Sequence, residues 1–291
     1  MTVQRRVIQT SALAVALVSM VVALAPAARS DTLVGWYQFD DPSDPWRDSS
    51  GNQKNGTVVN DGIAPVYSSS NSIQGGGSAY FNGTFNQQNQ NFQGGGGRIN
   101  VPINTGPVAM PNMSWGAWVR AALVDRGRYV LSSDQYNGGR GIGVDDRAGD
   151  DFAAILRNFS PYYYDTGVAA PINNWIFIGA VYRNNYTSPG VGDLTMYVGN
   201  QVFSSISTNI SNSSPSFTAI GGSAGGERYW NGYIDNVFIV DGALSQSQMT
   251  SIINNPNANL LSLVPEPSSC AMAVAGLACG GFAVGRRRRR A

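Results

Sequence analysis

The sequence predicts an all-β fold, a two-sheet antiparallel β-sandwich with one short C-terminal helix. Three observations lead there. Between residues 31 and 254, short alternating or apolar runs recur, separated by clusters of Gly, Asn, Asp and Ser. No strand–helix–strand rhythm accompanies them, which argues against a parallel sheet flanked by helices. Both cysteines, Cys270 and Cys279, lie beyond this region, so it must be held by a core and not by disulfides. The region suits one sandwich domain with no internal linker.

Residues 1–30 read as a secretory signal peptide. Arg5 and Arg6 supply the positive start, residues 11–24 an apolar core too short to span a bilayer comfortably, and Ala28 and Ser30 small residues at a cleavage site, with Ala25-Pro26-Ala27 as the alternative. Strands are then expected at 33–39, 56–60, 78–82, 98–103, 113–121, 128–132 and 141–144. Further strands are expected at 152–157, 175–182, 194–198, 201–205, 217–221 and 232–240. Trp115, Trp118 and Val119, with Trp175 and Phe177, suggest central strands with bulky inward faces. Residues 82–97 form a low-complexity Asn/Gln/Gly insert, expected as a surface loop. Residues 245–254 read as the helix: Ser245 sits at the N-cap, and Met249, Ile252 and Ile253 follow at helical spacing. Residues 255–263 read as an Asn/Pro linker.

At the far end, Pro265, Glu266 and Pro267 precede an uncharged Ala/Gly-rich stretch at 268–285, and Arg286, Arg287, Arg288, Arg289 and Arg290 follow at once. This stretch is at the lower limit for a transmembrane helix, and the arginines would keep that end on the cytoplasmic side. The prolines block helix entry and leave an extended marker outside the membrane.

Composition limits the chemistry. The chain has no histidine, which excludes Ser-His-Asp and Cys-His machinery and His-ligated zinc. The formal net charge of +1 hides an asymmetry: residues 31–264 hold 11 basic and 17 acidic side chains, a net of −6. A nucleic-acid partner needs a basic face, so that class is disfavoured. Residues 221–225 match G-x-S-x-G but lack both a strand-to-helix elbow and a histidine base, and read as a glycine-rich turn. Gly139–Gly143 lacks the final glycine and following helix of a dinucleotide loop, and no P-loop occurs.

Two resemblances add to this. Pro265-Glu266-Pro267, the apolar stretch and the terminal arginines resemble a PEP-CTERM sorting signal. Such signals imply an exosortase partner, transient residence in the inner membrane of a Gram-negative bacterium, and a mature form at the surface or in the extracellular matrix. Residues 33–40, 48–52, 55–57 and 79–83, the strands at 113–119 and 175–182, and the close at 232–237 before Ala243-Leu244-Ser245 resemble, in order, a laminin-G-like, concanavalin A-like domain. That resemblance implies a jelly roll over residues 31–254 and a role in binding glycans or proteins.

A non-catalytic glycan or extracellular-polysaccharide binder is therefore expected, with no catalytic residues. The alternatives are a jelly-roll glycosidase and a purely structural matrix protein. A glucanase of this fold resembles an E-x-D-x-x-E strand, because residues two apart on a strand point the same way, and the sequence has none. Asp145-Asp146 and Asp150-Asp151 are the paired carboxylates, expected to face solvent or a cation from a Gly-containing turn. For sugar stacking the candidates are Tyr162, Tyr163 and Tyr164, with Tyr136 and Trp46, since Tyr and Trp present flat apolar faces with a polar edge. A structural Ca²⁺ needs six to eight oxygens and no histidine. The resemblance places Asp40, Asp48, Asn52 and Asp235 near the domain's neighbouring chain ends, where they would converge on one ion. The competing reading is that Asp48 and Asn52 shape a turn and Asp235 caps a strand.

Overall fold

The computed structural model describes residues 31–84, 95–125, 127–134, 139–145, 149–157, 163–184, 191–209 and 216–264. The signal-peptide segment, Tyr136, Asp146, Tyr162, residues 85–94 of the Asn/Gln insert, and the sorting signal from Pro265 onward lie outside them. Among the described residues no helix is long and apolar enough to cross a membrane.

Among the described residues, fifteen strands form two antiparallel sheets. In the first, β13 (Gln201–Asn209), β12 (Val191–Val198), β11 (Ile176–Asn184), β6 (Met113–Ala121), β15 (Asn231–Asp241), β4 (Ser78–Asn82) and β3 (Val66–Ser68) lie side by side. β1 (Thr32–Tyr37) pairs with the C-terminal half of β15, on the edge whose other half takes β4. In the second, the order is β10 (Tyr163–Ala169), β9 (Asp151–Arg157), β8 (Gly139–Asp145), β7 (Arg128–Ser132), β14 (Thr218–Ile220), β5 (Gly97–Val101) and β2 (Thr57–Asn60).

Alternation along the strands builds the core between the sheets. Met113, Trp115, Ala117, Val119 and Ala121 of β6 all face it, as do Ile178, Ala180 and Tyr182 of β11. From the second sheet come Ile99, Val130, Ile142, Val144, Phe152 and Leu156. Arg140 is also inside. Its guanidinium lies 4.6 Å from the ring of Tyr182 and donates to the Met110 carbonyl at 2.7 Å. Burial holds its pKa down at about 10.

The expectation of inward bulk on the tryptophan-bearing strands is corrected in part. Trp115 and Val119 do face the core, but Phe177 belongs to a second apolar cluster on the outer face of the first sheet, and Trp118 packs against that cluster. The cluster exists because the C-terminal segment folds back over this face. Helix α1 (Gln246–Asn254) is closed by a capping box in which the Gln248 amide donates to Ser245 Oγ and the Ser245 amide to Gln248 Oε1. Its buried Met249, Ile252 and Ile253 sit with Leu33, Trp36, Phe177, Val181, Phe238 and Val240. The segment read as a linker carries a second short helix, α2 (Leu260–Leu263), whose Leu260 is 4 % exposed, and Val264 beyond it is 1 % exposed. A linker pattern hid this, because the apolar run at 260–264 is too short to show a helical period and follows an Asn/Pro stretch.

Thirteen strands were expected and two were missed, β3 and β10. Both are sheet edges, where half-exposed side chains weaken the alternation that marks a strand. The G-x-S-x-G segment is, as expected, a turn joining β14 to β15: Gly221 has φ +79° and Ser223 is buried, donating to the Asp134 carbonyl.

Candidate functional site

The strand register sets four side chains in a row across the outer face of the first sheet. Val66 pairs with Tyr80, Tyr80 with Tyr233, and Tyr233 with Arg120. Trp175 immediately precedes β11, one position beyond the Ile176–Val119 pair, and so extends the row past Arg120. Each of these points away from the core because its strand neighbours Ala79, Ile234 and Val119 point in. The Tyr80 and Tyr233 ring centroids lie 4.9 Å apart, and those of Trp175 and Tyr233 6.4 Å. The Arg120 guanidinium sits 5.5 Å from the Tyr233 centroid. Tyr80, Tyr233, Arg120 and Trp175 are all half-buried. Spanning β3 to β11 crosses four strand intervals, roughly 19 Å. The C-terminal helices cover the apolar cluster beside Trp118 and are not part of this row.

A loop borders the row. Asn71 donates to the Tyr233 hydroxyl and accepts from Arg120, whose Nε donates to the Asn173 carbonyl at 3.0 Å. Two carboxylates tie the same loop down. Asp235, fully buried, accepts from the Ile73 amide at 3.0 Å and from the Asn236 amide at 2.7 Å. Asp40 accepts from the amides of Gly76 and Gly77. The three glycines at 75–77 are required by this approach: a Cβ on Gly75, which has φ +76°, would lie 2.2 Å from Asp40 Oδ1. Burial drives the Asp235 carboxyl up to about 8, and the charge of Asp40 adds to the rise; the two amide hydrogen bonds oppose it. A cleft of about 310 Å³, lined by Asp40, Asp41, Asp44, Arg47 and Ser49, opens beside Asp40.

The four oxygen donors expected around one cation are thereby divided. Asp40 and Asp235 share the 73–77 loop. Asp48 instead accepts from the amides of Trp36, Ser50 and Lys54, and the Asn52 amide donates to the Leu33 carbonyl at 2.8 Å, so both shape the turn beside β1. Among the described residues no three acidic side chains group as a metal site. Asp40 and Asp235 are the two of the four that stay together, through the loop both hold. Each already accepts from backbone amides, and burial keeps Asp235 protonated at neutral pH, so a cation here would have to displace that proton and take its remaining oxygens from backbone carbonyls and water.

Of the stacking candidates, Tyr162 and Tyr136 lie outside the described residues. Tyr164 packs against the core, and its hydroxyl donates to the Ser204 carbonyl at 2.9 Å, bridging the two sheets at their edge. Trp46 packs edge-on to Phe39, 5.9 Å between centroids. Tyr163 lies on β10, opposite Ile155, on the outer face of the second sheet. Tyr129, with Arg228 5.6 Å from its ring, occupies the same face but is 1 % exposed. Asp145 and Asp151 are paired across β8 and β9, flanking the turn that joins them. The sequence reading missed Tyr80 and Tyr233 and turned Trp175 inward. The usable signal was the register of the closing strand against 79–83, which the family resemblance named without showing which side chains meet.

Comparison with known proteins places the fold. A family model described as the concanavalin A-like lectin/glucanases superfamily matches residues 93–250, and a PEP-CTERM protein-sorting motif matches residues 263–290. No curated protein sequence matches the chain. Among solved structures, domain 4 of AbnA, a GH43 extracellular arabinanase from Geobacillus stearothermophilus, in complex with arabinotriose, is 20 % identical with a TM-score of 0.55, over 77 % of this chain and 100 % of that one. The binding domain of botulinum neurotoxin DC in complex with SialylT is 15 % identical, TM-score 0.50, over 77 % of this chain and 51 % of that one. The botulinum neurotoxin serotype D binding domain is 14 % identical, TM-score 0.52, over 77 % and 52 %. The chain thus spans about half the length of the neurotoxin domains, and these likenesses are of fold.

Proposed function

The chain belongs to the concanavalin A-like lectin/glucanases superfamily and ends in a PEP-CTERM sorting motif, and from that premise we propose that it is an exported, non-catalytic glycan-binding protein. The observation that carries this reading is the in-register row Tyr80–Tyr233–Arg120–Trp175, bordered by Asn71. Aromatic faces cover the apolar faces of sugar rings, while amide and guanidinium groups meet the hydroxyls. Arabinotriose and SialylT in the neighbours' complexes support a carbohydrate ligand in general.

Asp40 and Asp235 are proposed to hold a structural divalent cation such as Ca²⁺. Its charge would offset the two carboxylates and so order the loop that carries Asn71.

Glycan-array binding of the full chain, with a parallel assay for released reducing ends, tests the main reading. Binding without turnover is expected, with Trp175→Ala weakening it about fivefold, in line with roughly 1 kcal/mol for a ring contact. Turnover that Asp151→Asn abolishes would establish the hydrolase alternative.

The sorting motif gives the second expected outcome. An exosortase would act at Pro265-Glu266-Pro267 while the arginines hold the precursor in the inner membrane, leaving a surface or matrix form without Arg286–Arg290. Glu266→Gln barely changes hydrophobicity, yet it should leave full-length precursor in the inner membrane. Mass spectrometry of the wild-type surface protein decides: a C-terminus ending at Ala291 contradicts processing.

A further inference from the structure

We infer that the glycan recognised along the aromatic row is an acidic polysaccharide, its carboxylate or sulfate met by Arg120. The inference rests on the glycan-binding reading above and narrows its substrate class.

The charge balance around Arg120 carries it. Among the other described arginines, Arg98 is paired with Asp61, Arg128 with Asp125 and Arg47 with Asp41, while Arg140 is buried in the core against Tyr182 and Arg183 donates to the Leu244 carbonyl beside the C-terminal helix. Arg120 forms no ion pair among the described residues. Its Nε is spent on the Asn173 carbonyl and its Nη1 on Asn71 Oδ1. Both partners are neutral, so they fix the guanidinium without cancelling its charge. Nη2 takes no partner among the described residues, and the half-exposed side chain is flanked by Tyr233 and Trp175. A guanidinium held this way is suited to a planar or tetrahedral anion, and its side-chain entropy is already spent in the free protein. A neutral sugar needs the aromatic faces and Asn71 but gives the fixed charge nothing to meet. The domain carries a net of −6 over residues 31–264, so an acidic chain is repelled by most of its surface and is favoured only where a cation stands unmatched.

The test is affinity electrophoresis of the full chain through gels containing polygalacturonate, alginate or dextran sulfate, or the carboxyl-reduced, neutral form of polygalacturonate. The expected result is retardation by at least one acidic polymer, at least tenfold stronger than by the neutral polymer. Arg120→Met should abolish that preference and Arg120→Lys should keep part of it, since the lysine retains charge without the fork. Trp175→Ala should weaken acidic and neutral binding alike. Thermal midpoints of the variants within a few degrees of wild type make the comparison one of binding; should Arg120→Met unfold, the Arg120→Lys and carboxyl-reduced arms decide alone. Equal binding to neutral and acidic polymers, lost in Trp175→Ala, overturns the acidic class while the glycan reading stands. Acidic binding unchanged in Arg120→Met overturns the role of Arg120. Binding to none of the polymers overturns the acidic class, and silence on the glycan array as well removes both readings.

Discussion

A chain cut after residue 242 is expected to be aggregated or unfolded, and one cut after residue 254 to melt about 4–8 °C below one ending at residue 264. The first cut removes α1 and exposes Phe177, Phe238, Val240, Leu33 and Trp36 on the outer face of the first sheet, an apolar patch far too large for a soluble monomer. It also removes the anchor at the turn, where the Leu244 amide donates to Ser114 Oγ, which donates to the Gly242 carbonyl. The second cut keeps α1 but loses Leu260 and Val264. Burying two such side chains contributes about 3–5 kcal/mol gross. Ordering the segment that carries them takes back part of that. A net of about 2 kcal/mol shifts the midpoint of a domain this size by the stated amount. Size-exclusion chromatography and thermal melts of the three chains decide. Equal midpoints for the chains ending at 254 and 264 would show that α2 contributes nothing.

Metal-free protein should lose stability as pH rises from about 4 to 8, and Asp235→Asn should remove that dependence. The Asp235 carboxyl is raised from 3.8 to about 8, chiefly by burial. Below pH 4 it is protonated in both folded and unfolded chains and has no effect. Between the two values the unfolded chain releases its proton while the folded chain keeps it, so unfolding is favoured increasingly. Above pH 8 both are ionised and the loss is complete, on the order of 5 kcal/mol at most. Asn cannot ionise, but its amide faces one backbone donor, leaving one hydrogen bond unmade at about 1–3 kcal/mol. The melting curves of wild type and variant in chelator should therefore cross as pH rises. Millimolar Ca²⁺ should raise the wild type at pH 8 and leave the variant unmoved, since only a native-state ligand adds RT ln(1 + [L]/Kd). A calcium-insensitive wild type at pH 8 would end the cation proposal.

What the sequence made legible follows the physics of its signals. β4, β6 and β7 were read to the residue, because each is a run of mostly buried side chains bounded by turn-forming residues. α1 was legible from its capping serine and three apolar positions. The row of Tyr80, Tyr233, Arg120 and Trp175 was not, since strand pairing is a long-range fact and Tyr80 and Tyr233 are far apart in the chain. Arg140 illustrates the same limit: nothing local distinguishes an arginine at the surface from one buried against Tyr182 and donating to the Met110 carbonyl. The tyrosine stripe misled for the converse reason. Consecutive tyrosines in a strand must face opposite ways, so Tyr163 and Tyr164 cannot form one stacking surface.

The seat of the C-terminal segment determines how the protein would bear mechanical load. The sorting motif begins at residue 263, inside α2, and Val264 is already packed against the sheet. A molecule pulled from beyond Val264 would feel the load first at this packed segment. Tension would therefore peel α2 and then α1 from the first sheet, one apolar contact after another, and this takes little force because each contact yields alone. Only afterwards would it reach β15, which is hydrogen-bonded to β6 on one edge and to β1 and β4 on the other, and whose rows of bonds must yield together. The helix pair is then a yielding element in series with a stiff sandwich. The aromatic row lies on β15 and its neighbours and on no part of the peeling segment, so a ligand held there would keep its grip while the tether stretches.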